Sequence, residues 1–218
     1  MMKISVITPT IKYDRLLDLT IDSIANQTYS NVEHILACYK STVNTEELPS
    51  DSHDVKSLKI SLIKDSFYDG LMKMIHETEG EILCILNPGE ILYDTGSLSR
   101  IVNNFQKRNC NLIYGKNMLY NGSNNLSSIF SLRISKNRKW QVPFGNMPLY
   151  TAIFIKRELL LKMGILSGKQ KFSSEYELYR LLSMQTHVMP YYMDTYAYLR
   201  NSNSFRMESG RVGQNLTA

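Results

Sequence analysis

Residues 4–37 read ISVITPTIKYDRLLDLTIDSIANQTYSNVEHILA, and this stretch decides the fold. Ile4 to Thr8 is a short β-branched run ended by Pro9, the pattern of a buried strand. From Asp14 to Thr28, Leu17, Ile21, Ile24 and Ala25 recur at helical spacing, which predicts an amphipathic helix. Val32 to Ala37 is a second apolar run of strand length. A helix between two such strands is a βαβ unit, so the strands pair in parallel.

The same alternation continues outward. Leu58 to Ile63 reads as a third strand, Phe67 to Glu77 as a helix with Gly80 in its C-cap region, and Glu81 to Leu86 as a buried strand. Ser97 is placed to cap a helix that carries Leu98, Ile101, Val102 and Phe105 on one face. Asn111 to Tyr120 and Leu149 to Ile155 are further strands, and Lys156 to Met163 is a short helix ended by Gly164. Ser174-Glu175-Tyr176-Glu177 fits a capping box that opens another helix, and residues 187–199 hold a last strand-like run. Residues 40–57 and 121–147 read as polar loops. The expectation is an α/β fold with a mixed, largely parallel central sheet flanked by helices, binding ligand at the carboxyl ends of the strands. One domain spans residues 1–204, followed by a polar tail at 205–218.

Composition narrows the function classes. The 218 residues are 43% hydrophobic and 21% charged, as expected of a soluble globular protein with a sizeable core. A net charge of +5 and a pI near 9.0 favour anionic partners such as nucleotides or a phospholipid surface. Nucleic acid is not expected as a partner, because no Lys/Arg run of five exists. Cys38, Cys84 and Cys110 are far apart and lack zinc-type spacing, which reads as buried thiols in a reducing compartment. The start of the chain shows no signal-peptide core, and no run approaches the roughly 18 apolar residues of a membrane span. The expected location is the cytoplasm, with room for a peripheral place at the membrane's inner face.

Several blocks in order resemble family 2 glycosyltransferases. Ile4 to Thr10 opens like that family, and Thr20 to Tyr29 followed by Asn31 to Ile35 is similar to its "TIdSIlnQTYpNiEhIvvD" block, the most specific signal in the chain. Tyr68-Asp69-Gly70-Leu71-Met72-Lys73 resembles "YDAMNKG", and Gly80 to Asn87 resembles "GdiigfLN". Leu112 to Gly115 resembles "vvYGd", Phe154 to Leu159 resembles "lFfrrelf", and Ser174 to Leu178 resembles "aDyel". The resemblance covers residues 3 to 204 and implies a GT-A fold and sugar transfer from a nucleotide donor. It implies donor contacts from Thr8, Pro9 and Thr10 after the first strand, from Tyr39 as a base-stacking ring, from Asp69 and Lys73, and from Asn87. It places Glu175 where the family has its general base.

The acidic motifs depart from the family pattern. Cys38-Tyr39-Lys40-Ser41 stands where the family has an Asp-rich strand end, and Val43 replaces a later acid. The family's Asn falls on Met72, its metal-ligating carboxylate on Gly89, and its "YGd" acid on Lys116. Glu90 is the one remaining acid at the metal motif. Two alternatives stay open for the diphosphate charge: Glu90, water and the diphosphate together hold Mg or Mn, or Lys40, Lys73 or Lys116 meets the phosphates directly. Two functions are therefore carried forward. One is transfer of a sugar, expected from a UDP-sugar, to a glycan or lipid-linked saccharide. The other is a non-catalytic, transferase-like subunit that binds a glycan or a partner glycosyltransferase; for either function a homo-oligomer is a further expected partner arrangement.

Overall fold

The computed structural model describes residues 1–39, 58–63, 67–120, 153–164, 181–182 and 188–201. Within them run β1 (Ile4–Thr10), α1 (Arg15–Ala25), β2 (Val32–Tyr39), β3 (Leu58–Ile63), α2 (Phe67–Glu77), β4 (Ile82–Ile85), β5 (Glu90–Leu92), α3 (Ser97–Lys107), β6 (Leu112–Tyr120), β7 (Ile153–Lys156), α4 (Arg157–Lys162) and β8 (Pro190–Asn201). The strands form one sheet in the order β3-β2-β1-β4-β7-β6-β8-β5.

The first four strands of that order are parallel, as the βαβ pattern predicts, with Ile4 opposite Val32 and Ile82. β7 then runs antiparallel between β4 and β6, β8 lies parallel to β6, and β5 closes the edge antiparallel to β8. Helices cover both faces. Leu17, Ile21 and Ile24 of α1 and Leu98, Ile101, Val102 and Phe105 of α3 pack on one face. Leu71, Met74 and Ile75 of α2, Leu159 and Leu160 of α4, and Leu181 and Leu182 pack on the other. Each fully buried aliphatic or aromatic side chain here contributes roughly 1.5–3 kcal/mol through removal from water.

Some local expectations shift. β1 runs through Pro9 to Thr10 rather than ending at Pro9. Ile7 O accepts from Leu86 N, so Pro9, two residues on, turns its nitrogen toward the same side, beyond the end of β4, where no ladder bond is lost. Gly96 is the N-cap of α3, without a side-chain cap bond; Ser97 is the first helical residue, and its Oγ instead accepts from Asp94 N at 3.1 Å. Gly80 has no left-handed backbone; positive φ occurs at Gly89 and at Gly164, which follows α4. β5 was not expected, because a three-residue strand carries no periodicity. Leu149 to Ala152, the loops at 40–57 and 121–147, the helix opened by Ser174 apart from Leu181 and Leu182, which are helical, and the tail at 205–218 lie outside the described residues.

Candidate functional site

The carboxyl edge of the parallel strands gathers most of the described candidate residues. Thr10 ends β1, Tyr39 ends β2, and Thr10 is paired with Cys38, so the two ends lie side by side. Ile7 pairs with Ile85, which brings Asn87 out of β4 at the level of Pro9. α2 follows β3, with Asp69 in its first turn and Lys73 exposed one turn later. The Asp69 side chain, Lys40 and Glu175 lie outside the described residues, as does the Lys116 side chain.

Local chemistry explains these placements. Thr8 is fully buried, and its Oγ1 shares a 2.8 Å hydrogen bond with His34 Nε2 on the neighbouring strand. Burial pulls the His34 pKa down to about 3, so the ring is neutral and Thr8 is held from inside the sheet. Thr10 forms a hydroxyl turn: its Oγ1 donates to Lys12 O at 2.6 Å and steers the chain toward α1. Asp14 caps that helix by accepting from Leu16 N and Leu17 N. Tyr39 packs against the α2-side core, and burial pushes its phenol up to about 12.

The Asn87-Pro88-Gly89-Glu90 segment is a turn closed by two reciprocal hydrogen bonds. Glu90 N donates to Asn87 O at 2.9 Å, and Gly89 has φ 87° behind Pro88, the signature of a type II turn. Asn87 N donates back to Glu90 Oε2 at 2.8 Å, and Glu90 is fully buried. Thr20 of α1 reaches this turn from below, donating to Glu90 O at 2.9 Å and accepting from Gly89 N at 3.0 Å. A divalent cation needs several oxygen ligands that converge on one open point. Glu90 is instead folded into its own turn, and among the described residues no group of three or more His, Cys, Asp or Glu is placed to hold a metal. The described residues therefore do not fit a divalent cation at this turn.

The block that carries the strongest resemblance is a structural clamp. Gln27 Nε2 donates to Asp94 O at 2.8 Å, while its Oε1 accepts from Leu98 N at the start of α3 at 3.1 Å. Thr28 N donates to Thr95 O at 2.8 Å, and Tyr29 OH donates to Met2 O. At the opposite end of the strands, buried Glu33 accepts from Ser5 Oγ, from Glu79 N at 2.7 Å and from Gly80 N at 3.2 Å, with Lys3 and Lys59 beside it. Sequence reasoning missed Thr20, His34 and Glu33 as organising residues. Their signal was present: each is a polar side chain within an apolar strand or on an apolar helix face.

No helix among the described residues is long and apolar enough to cross a membrane. No curated protein matches the chain. Its fold is similar to that of S. aureus TarS (residues 1–349) in complex with UDP, with a TM-score of 0.67 and 16% identity, over 92% of this chain and 60% of that one. TarS solved with UDP-GlcNAc aligns with a TM-score of 0.65 at 16% identity, over 92% of this chain and 58% of that one. The mannosyltransferase PcManGT from Pyrobaculum calidifontis, in complex with GDP-Man and Mn2+, aligns with a TM-score of 0.64 at 15% identity, over 91% and 56%. The chain thus spans less than two thirds of the length of these structures. Residues 5–162 match Glycosyl transferase family 2. The parallel half, its helices and the Gln27 clamp all fall inside that match, and the chain belongs to Glycosyl transferase family 2, on a fold of the GT-A type.

Proposed function

We propose that the chain transfers a sugar from a nucleotide-sugar, a UDP-sugar by preference, to a glycan or lipid-linked saccharide. The family match over residues 5–162 carries this reading, because it spans the strands whose carboxyl ends hold the candidate donor residues. The neighbours solved with UDP, UDP-GlcNAc and GDP-Man support a donor of that class. In the transfer, the bond from the sugar's C1 to the diphosphate oxygen breaks and a bond from C1 to the acceptor oxygen forms. The acceptor proton passes to a base, for which Glu175 is the candidate, and the nucleoside diphosphate leaves with its added charge. Thr10, Tyr39 and Asn87 line the strand edge under the donor, Thr8 and Pro9 shape that edge, and Asp69 and Lys73 approach from α2. Residues 1–204 form the transferase domain, working in the cytoplasm at or near the membrane's inner face.

The test is release of nucleoside diphosphate from UDP-GlcNAc, other UDP-sugars and GDP-Man, with lipid-linked and glycan acceptors present. Turnover that falls about a hundredfold or more in Glu175→Gln is expected, the scale of a lost general base. Absence of turnover with every donor, in a chain that still binds UDP, would favour the second reading of a non-catalytic subunit. One observation favours that second reading: the Thr8 and Glu90 side chains are both turned to internal partners.

A further inference from the structure

The turn after β4 invites an inference that rests on the donor-site reading above. We infer that Glu90 is a positioning residue that locks the Asn87–Glu90 turn onto α1, and that nucleoside diphosphate binding to this chain does not depend on a divalent cation held at this turn. Glu90 gives one carboxylate oxygen to Asn87 N at 2.8 Å, and its own N–H returns to Asn87 O at 2.9 Å. The turn's remaining amide, Gly89 N, is shared between Leu16 O at 2.9 Å and Thr20 Oγ1 at 3.0 Å. Thr20 then ties Glu90 O back to the helix at 2.9 Å. Glu90 is fully buried with one carboxylate oxygen committed to Asn87 N, so the carboxylate meets a cation at the surface only if the turn opens.

Gly89 adds a second reason. Its φ of 87° lies in the left-handed region, where glycine is the residue of choice. An acid at this position would therefore strain the turn that Glu90 closes. With no carboxylate facing outward at the turn, the diphosphate charge falls to N–H groups and to cationic side chains of the α2 region such as exposed Lys73.

Two measurements on the full chain decide it. Mn2+ is titrated into the protein alone and followed by electron paramagnetic resonance. UDP affinity is then measured by calorimetry in EDTA and in excess Mn2+, for the natural chain, Glu90→Gln and Glu90→Ala. Gln keeps an acceptor oxygen for Asn87 N, whereas Ala does not. The expected result is no Glu90-dependent Mn2+ binding and UDP affinity equal within about twofold with and without metal, since a tenfold change corresponds to 1.4 kcal/mol. Glu90→Gln then binds UDP as the natural chain does, and Glu90→Ala unfolds at lower temperature. Mn2+ binding, or a tenfold metal-driven gain in UDP affinity, that disappears in Glu90→Gln would overturn the inference. A gain that persists in Glu90→Gln places the cation elsewhere and supports the locking role. If no nucleotide binds under either condition, the donor-site reading fails, while the Mn2+ titration of the chain alone still decides what Glu90 does.

Discussion

A Cβ at Gly80 would stand 2.3 Å from Ser5 Oγ, 2.5 Å from Ser5 N and 3.0 Å from Ile4 C. Two of those neighbours are backbone atoms of a central strand, so they cannot swing aside. Gly80→Ala is expected to destabilise by about 2–3 kcal/mol, an overpacking cost, read as a lower denaturation midpoint. Beside it, hydrogen bonds from Ser5 and Glu79 N and the nearby Lys59 and Lys3 outweigh burial and pull the Glu33 pKa down to about 2. Because the folded value lies below the ordinary one of 4.5, Glu33 contributes stability that is complete above pH 4.5 and lost as pH falls toward 2. His34 acts over a higher window: its folded value of about 3 lies below the ordinary 6.5, so the unfolded chain takes up the proton first and stability declines from pH 6.5 downward. The acid limb of the stability curve should therefore begin near pH 6.5, steepen below 4.5, and lose its lower segment in Glu33→Gln. A curve flat from pH 7 to 3 would contradict both assignments. Gly80 shows the limit of reading a residue from sequence. Its position after a helix signals a cap, but the constraint is a strand 75 positions earlier in the chain.

At the scale of elements, α1, the turn after β4 and the start of α3 are joined by buried Thr20 and half-buried Gln27. Thr20→Val keeps the shape of the side chain but removes the bonds to Glu90 O and Gly89 N. The expected cost is about 1 kcal/mol, the scale of a lost buried hydrogen bond, since Gly89 N keeps Leu16 O as its acceptor. Gln27→Ala removes the acceptor for Leu98 N, a capping loss of about 1 kcal/mol. Both costs are readable by chemical denaturation. Hydrogen exchange should show the Thr20 change loosening the turn and the Gln27 change loosening the first turn of α3. The helices and parallel strands were legible because their apolar spacing is strong and local. β5 was not, because its pairing partners at Tyr198 to Arg200 are distant in sequence. The Ser97 cap was misjudged for a related reason: its hydroxyl accepts from Asp94 N, and the Leu98 amide of the first turn is met by Gln27, which follows α1.

For the whole molecule, the parallel half β3-β2-β1-β4 builds the edge where the donor is proposed to lie, and the antiparallel strands extend the sheet beyond it. The fold was legible from the first βαβ unit outward. Of the candidate site, what was legible is position: Thr10 and Tyr39 end neighbouring strands and Asn87 follows β4 at the same edge, because strand ends follow from strand register. The inward turn of Thr8 and Glu90 was not, because it depends on His34 and on backbone amides that no residue type announces. The most direct test of the central claim is calorimetric titration of the chain with UDP and GDP in the presence of EDTA. The account predicts saturable binding of a nucleoside diphosphate at one site, weakened at least several-fold in Tyr39→Ala. No binding of either nucleotide, with or without added metal, would contradict it.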